Sequence, residues 1–241
     1  QDEMRSNFFA NISHEFRTPL TLILNPAEQL LKENLKQDHN KYLGIIHRNA
    51  SRLLELVNQL LDLSKLESGK ANLKVGYYDL NIFCKAIGGL FESLAIQKEI
   101  DFMIDVPDEK IQGYFDKDVL EKIIVNLLSN AFKFTPKQGK INLKLQKFSH
   151  QQVSISVSDT GKGISDDNLE KLFDRFMSFS GSDVQSSSGI GLSLVRELTN
   201  LHKGEITVES ELDKGSVFTF SFCIDKTKYT SDEITRVNIS G

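Results

Sequence analysis

The sequence predicts an α+β protein in two parts: an N-terminal helical hairpin that pairs with a second copy as a dimeric four-helix bundle, then an α/β two-layer sandwich on a mixed sheet. Three observations predict it. Tyr42, Ile46, Asn49, Leu53, Leu56, Leu60 and Leu63 recur at alternating steps of four and three, a heptad seam. Ahead of them, Phe9, Ile12, Phe16, Leu20 and Ile23 form one apolar stripe at helical spacing. Beyond Asp79 the pattern changes, and segments that alternate in twos interleave with helical ones.

The first helical pattern spans about residues 2–32 and contains Pro19 and Pro26. Each proline removes one backbone donor, so a bend is expected at each; the alternative is a stop at Asn25 and a new helix opening on Pro26. A polar break over residues 33–40 precedes the heptad helix, whose seam is widened by Ile45, Leu54, Val57 and Leu61. Two stripes this broad exceed what one hairpin buries, so the remainder calls for a homodimer. Asn49 on the seam is either a register device or a side chain at a wet end of the bundle. Leu66-Glu67-Ser68-Gly69-Lys70 reads as a helix C-terminus with Gly69 in the left-handed cap.

Residues 75–78 are strand-like, and Asp79 is a good N-cap for a helix over residues 80–94. Strands follow at residues 100–104, 141–145, 153–157, 206–208 and 218–222, with helices over 116–132 and 190–201. The expected division is a first domain at 1–74, a second at 75–224, and a polar linker or disordered tail at 225–241.

Composition narrows the function. The net charge of −4 and a pI near 5.8 disfavour a nucleic-acid partner, which calls for a concentrated basic face. Cys84 and Cys223 fit no metal or redox spacing and suit a reducing compartment. No apolar run approaches the ~20 residues of a membrane-spanning helix. A cytoplasmic fragment without membrane contact is expected, any anchor lying upstream.

If the first pattern is helical, its apolar stripe turns His14 to the opposite, solvent face, with Thr18 one turn on and Glu15 the adjacent carboxylate. An exposed, largely neutral imidazole suits nucleophilic attack or proton transfer; it is equally an ordinary surface residue. In the helix over 116–132, Asn126, Asn130 and Lys133 share one polar edge beside the core residues Ile123, Ile124, Leu127, Leu128 and Ala131. Amide oxygens suit a hard cation such as Mg²⁺ and the lysine suits phosphate, unless the asparagines only bond their own backbone.

Asp159-Thr160-Gly161-Lys162-Gly163-Ile164 follows a strand. Gly161 and Gly163 would admit close approach of a ligand and Asp159 could accept from an exocyclic amine, or the run is a plain turn. Phe173 and Phe176 fall on one side of a short helix in Leu172-Phe173-Asp174-Arg175-Phe176, which alone means core packing. Residues 178–188 hold six serines and Gly181, too little apolar surface to bury. Gly189 and Gly191 then open a helix whose bare amides favour an anion. A lid over nucleotide or an incidental surface loop are the two readings.

Ser13-His14-Glu15-Phe16-Arg17-Thr18-Pro19-Leu20-Thr21 closely resembles the phosphoacceptor box of sensor histidine kinases. Asn126-Leu127-Leu128-Ser129-Asn130-Ala131-Phe132-Lys133-Phe134-Thr135-Pro136 resembles that family's N box almost residue for residue; residues 159–164 resemble its first glycine box and 172–176 its F box. The pieces stand in the family's order, so the resemblance spans roughly residues 6–222. It implies the ATP-binding fold shared with gyrase, a heat-shock chaperone and mismatch-repair ATPases, with Asp159 reading adenine and Mg²⁺ held through Asn126 and Asn130.

The resemblance further implies ATP-dependent phosphorylation of His14 and transfer to an aspartate of a response-regulator receiver domain, with Thr18 positioning water for the reverse, phosphatase reaction. The run Leu20-Thr21-Leu22-Ile23 followed by Pro26 looks most like the hybrid sensors. Two positions depart: Lys122 stands where the family often has Gln, and Lys203 replaces the usual first glycine of His202-Lys203-Gly204. Two other function classes are a conformational ATPase clamp, for which Glu121 is the only carboxylate near the N box, and a catalytically silent dimer scaffold.

Overall fold

The heptad stretch folds as one long helix, α2 (His39–Glu67). The structure, a computed structural model, describes residues 16–28, 30, 39–174 and 189–235. The chain divides into two compact units, one holding α2 as far as Ser64 together with the helix before it, α1 (residues 16–28). Helix α1 continues through both prolines, so the stop at Asn25 is not what forms; each proline costs one ladder bond and the remaining turns hold. Leu56 and Leu63 on α2 are buried, whereas Leu43, Leu54 and Leu61 are more than half exposed. The Asn49 amide donates to the Ile45 carbonyl at 2.8 Å, a local back-bond that leaves less of it to specify register. After Glu67 the chain turns through Gly69 at φ +65, and the Lys70 amide donates to the Lys65 carbonyl at 3.1 Å, the expected cap.

The second unit opens with β1 (Gly76–Asp79) and α3 (Leu80–Gly89), whose first turn is capped by the Asp79 carboxylate accepting the Ile82 amide at 3.0 Å. The helix expected to reach residue 94 breaks here. Gly88-Gly89 is a poor helix pair, the Leu90 and Phe91 amides close short turns onto the Ile87 and Gly88 carbonyls, and Phe91 stacks on Phe132 with centroids 5.5 Å apart. A separate α4 (Glu92–Lys98) follows, then β2 (Asp101–Asp105), β3 (Gln112–Phe115), α5 (Lys117–Phe134), β4 (Lys140–Lys147), β5 (Gln152–Asp159), α6 (Asp166–Leu169), α7 (Gly191–Leu201), β6 (Glu205–Glu211) and β7 (Gly215–Cys223). Residues 170–173 form turns in place of the short helix expected around Phe173, and Phe176 lies outside the described residues.

The main sheet runs β2-β4-β5-β7-β6, with β2 and β4 parallel and the other pairs antiparallel, the mixed sheet expected. Period two sorts its faces: Ile141, Leu143, Leu145, Val153, Ile155, Val157, Phe218, Phe220 and Phe222 are buried, while Lys144 and Gln146 are exposed. Ile123, Ile124, Leu127, Leu128 and Ala131 of α5 are buried as well, which gives the two-layer core. A small sheet, β1 with β3, lies apart from it. β3 carries no alternation in its sequence and was not foreseen, because Gly113 in its middle has no side chain to signal a strand.

Residues 225–235, expected as linker or disordered tail, are folded. Tyr229 is 7% exposed, and its hydroxyl donates to the Cys223 carbonyl at 3.0 Å. Beside it His202 is buried, and its Nε2 accepts the Asp116 amide at 3.1 Å, which fixes the neutral tautomer with the proton on Nδ1. Burial pushes this imidazole down to about 4 from an ordinary 6.5. A depressed histidine is neutral in the fold while the unfolded chain takes up a proton, so its contribution is complete above pH 6.5 and is lost as pH falls toward 4. Urea unfolding across that window should show the native chain losing up to ~1.4 kcal/mol per pH unit relative to His202→Gln; parallel curves would show that His202 does not titrate on unfolding.

Candidate functional site

Asp159 is the last residue of β5, the central strand of the main sheet. Its half-buried carboxylate accepts the Gly161 amide on Oδ1 at 2.8 Å. Burial holds its pKa above the ordinary carboxylate value, against the Gly161 and Ser216 amides that donate to it. A carboxylate in this balance gains from any further donor, which is the chemistry of an amine-bearing ligand.

The loop that follows is held at both ends. The Thr160 hydroxyl accepts the Lys140 amide at 2.8 Å, and the Ile164 amide donates to Ser210 Oγ at 2.9 Å, which in turn donates to the Gly215 carbonyl. A β-carbon at Gly163, where φ is +65, would stand 2.0 Å from the Glu211 carbonyl oxygen; one at Gly161 would stand 2.7 Å from that of Phe134. The protein's own backbone therefore already demands glycine at both positions. Their consequence is to seat the loop between the β6–β7 turn and the C-terminal end of α5. That brings the loop after Asp159 against the last turn of α5, the helix whose polar edge carries Asn126, Asn130 and Lys133.

On that edge all three residues are half-buried. The Asn126 amide nitrogen donates to the Lys122 carbonyl at 2.7 Å, so Oδ1 is the atom left for a cation. Lys133 Nζ stands 5.4 Å and Lys162 Nζ 4.7 Å from the Phe134 ring centroid. Lys162 and Phe134 both sit inside motifs already noted, yet neither was singled out, because nothing in the linear sequence shows that one ring and two ammonium groups from different segments converge. Among the described residues there is no group of three or more His, Cys, Asp or Glu able to hold a metal ion. A cation here would depend on amide oxygens and on the oxygens of its own anionic ligand.

Residues 4–69 match the family described as His Kinase A (phospho-acceptor) domain, and residues 115–226 the family described as Histidine kinase-, DNA gyrase B-, and HSP90-like ATPase. The chain belongs to the histidine kinases. It is 44% identical over 90% of its length to hybrid signal transduction histidine kinase D of Dictyostelium discoideum, and 37% identical over 92% to the autoinducer 2 sensor kinase/phosphatase LuxQ of Vibrio vulnificus. The chain spans 15% and 27% of those two proteins. Among solved structures it is similar to the histidine kinase ThkA in complex with the response regulator protein TrrA, at a TM-score of 0.72 and 25% identity over 92% of this chain and 63% of that one.

The kinase's remaining site residues are placed as follows. Phe173 is half-buried in the turn after α6. Gly189 adopts φ +64 and Gly191 is the first residue of α7; both fall in the unit that holds α1 and α2, while α7 from Leu192 belongs to the other. Thr18 is exposed on α1. His14 and Glu15, like Phe176, lie outside the described residues. No helix among the described residues is long and apolar enough to cross a membrane.

Proposed function

We propose that the chain transfers the γ-phosphoryl group of ATP to His14 and then to an aspartate of a response-regulator receiver domain. The observation that carries this is the presence in one chain of a phosphoacceptor domain at 4–69 and an ATPase-type domain at 115–226, with a candidate acceptor histidine in the first and both the Asp159 carboxylate and the Asn126, Asn130 and Lys133 edge of α5 in the second. Asp159 accepts the adenine amine. Lys133 and Lys162 meet phosphate charge, and the bare amides at the start of α7 suit an anion as well. Mg²⁺, which the amide oxygens of Asn126 and Asn130 suit, would neutralise phosphate oxygens there. One ring nitrogen of neutral His14 attacks the γ-phosphorus, the bond to the bridging oxygen breaks, ADP leaves, and Glu15 accepts the proton from the other ring nitrogen.

The receiver as partner is supported by the ThkA–TrrA complex, and a return phosphatase reaction by exposed Thr18 and by the name of the LuxQ relative. Incubation with γ-phosphate-labelled ATP tests the proposal: acid-labile, base-stable label on the protein supports it, and release of free phosphate without label supports a conformational clamp instead.

A homodimer through the N-terminal helices follows from their exposed leucines. Leu54 and Leu61 lie two turns apart on α2, 61% and 54% exposed in the single chain. Burying leucine contributes ~1.5–3 kcal/mol per side chain, so Leu54→Glu/Leu61→Glu should convert the dimer to monomer in sedimentation, with nucleotide affinity kept. A dimer that survives the double substitution would place the interface elsewhere.

A further inference from the structure

The ATPase-family match ends at residue 226, yet the chain continues in a fixed path to Thr235. Asp225 starts that path: Oδ1 accepts the Thr227 amide at 2.7 Å, and Oδ2 accepts the Gln151 side chain at 2.7 Å. Tyr229 is its buried anchor. At its far end Ile234 bridges Val75 in parallel: the Val75 amide donates to the Glu233 carbonyl at 2.7 Å, and the Thr235 amide to the Val75 carbonyl at 2.8 Å. Val75 is fully buried and Leu73 nearly so, and the Lys74 amide between them donates to Asp116 Oδ2. The segment that leads from α2 into the ATPase-type unit is thus gripped by Asp116 on one side and by residues 233–235 on the other.

A latch closes the path. Lys203 ends α7 at φ +59, with the Gly204 amide on the Thr199 carbonyl and the Lys203 amide on that of Asn200. That cap favours glycine, and a side chain there carries a backbone cost. The lysine has a use: Nζ meets Glu233 Oε2 at 2.7 Å, with the two side chains 33% and 23% exposed, and the same oxygen accepts the Thr230 amide. Upstream, residues 68–70 and 72 are exposed.

We propose that residues 225–235 are a strap that locks residues 73–75 onto the ATPase-type unit and so sets a hinge at residues 68–72, the short linker between the end of α2 and that locked segment. On the proposed function, that hinge is where the nucleotide-bearing unit pivots to reach His14, and the strap shortens the free linker. The test uses the full chain with Glu233→Gln, Thr235→Pro and, as the variant that relieves the backbone while deleting the latch, Lys203→Gly.

In the native chain, trypsin should cut after Lys70 and spare the Lys74–Val75 bond. In each variant that bond should open and the Val75 amide should exchange about tenfold faster, with Val157 on β5 unchanged. Phosphorylation of His14 should slow severalfold at unaltered ATP affinity. Unchanged Val75 exchange and Lys74 protection in all three variants would overturn the strap; an opened strap with an unmoved phosphorylation rate would overturn its control of the hinge. A native chain that takes up no phosphate would overturn the proposed function alone, since exchange and proteolysis need no ATP.

Discussion

A chain carrying His14→Ala is expected to acquire no acid-labile, base-stable label from γ-phosphate-labelled ATP, while binding nucleotide as the native chain does. The separation follows from where the residues lie. His14 falls in the phosphoacceptor match at 4–69, and Asp159, Gly161, Gly163 and the α5 edge fall in the second unit. Removing a nucleophile abolishes the covalent step outright, whereas removing a group that only orients it leaves a reduced rate. Glu15→Gln should therefore keep labelling at a rate lower by ~10²–10⁴. Label that persists in the alanine variant would mean that another side chain is the acceptor and that the resemblance around His14 is misleading.

Asp159→Asn should weaken nucleotide binding by about tenfold or more without harming the fold. The Gly161 and Ser216 amides both donate to the carboxylate, the first on Oδ1, so the asparagine keeps its oxygen toward these amides and turns an NH₂ group toward the ligand. Two donors then face each other, and a buried polar mismatch of this kind costs roughly 1–3 kcal/mol. The effect on stability has the opposite sign. Because burial raises the Asp159 pKa, its contribution is complete below 3.8 and is lost as pH rises through the folded-state value; at neutral pH the carboxylate weighs against folding. The variant should melt at an equal or higher temperature at pH 7, and the gain should fade as pH drops toward 3.8. A variant that loses nucleotide and also melts early would make Asp159 a structural residue whose effect on binding is indirect.

Much of this was legible beforehand because one period controls one face. The alternation in β4, β5 and β7 named the buried side of the sheet, and the 3.6 period of α5 named both its core face and its polar edge. Where the forecast failed, a local signal was outweighed by contacts from far along the chain. Leu90 and Phe91 belong to a helical pattern by composition, but the glycine pair before them and the stacking of Phe91 on Phe132 break it. Residues 225–235 look like a polar tail because their anchors are few and scattered; Tyr229 and Ile234 become informative only once β7 and the Val75 segment lie beside them. What the sequence does not show at Gly161 and Gly163 is how close the Phe134 and Glu211 carbonyls come to them.

By itself the sequence determined the chemistry available to this kinase: which imidazole could be a nucleophile, which carboxylate and amides could meet a nucleotide, and which helical faces need a partner. The helical faces follow from residue type and spacing over a few turns, where the chain's own geometry leaves little freedom, and the assignments to nucleophile and nucleotide follow from the resemblance those motifs carry. Only the tertiary structure decided that Lys162 joins Lys133 around Phe134, that Ser210 holds the glycine loop, and that the linker into the second unit is strapped by a segment some 160 residues away. Each of those contacts closes a long loop, and its residues carry no local mark of the partner they meet.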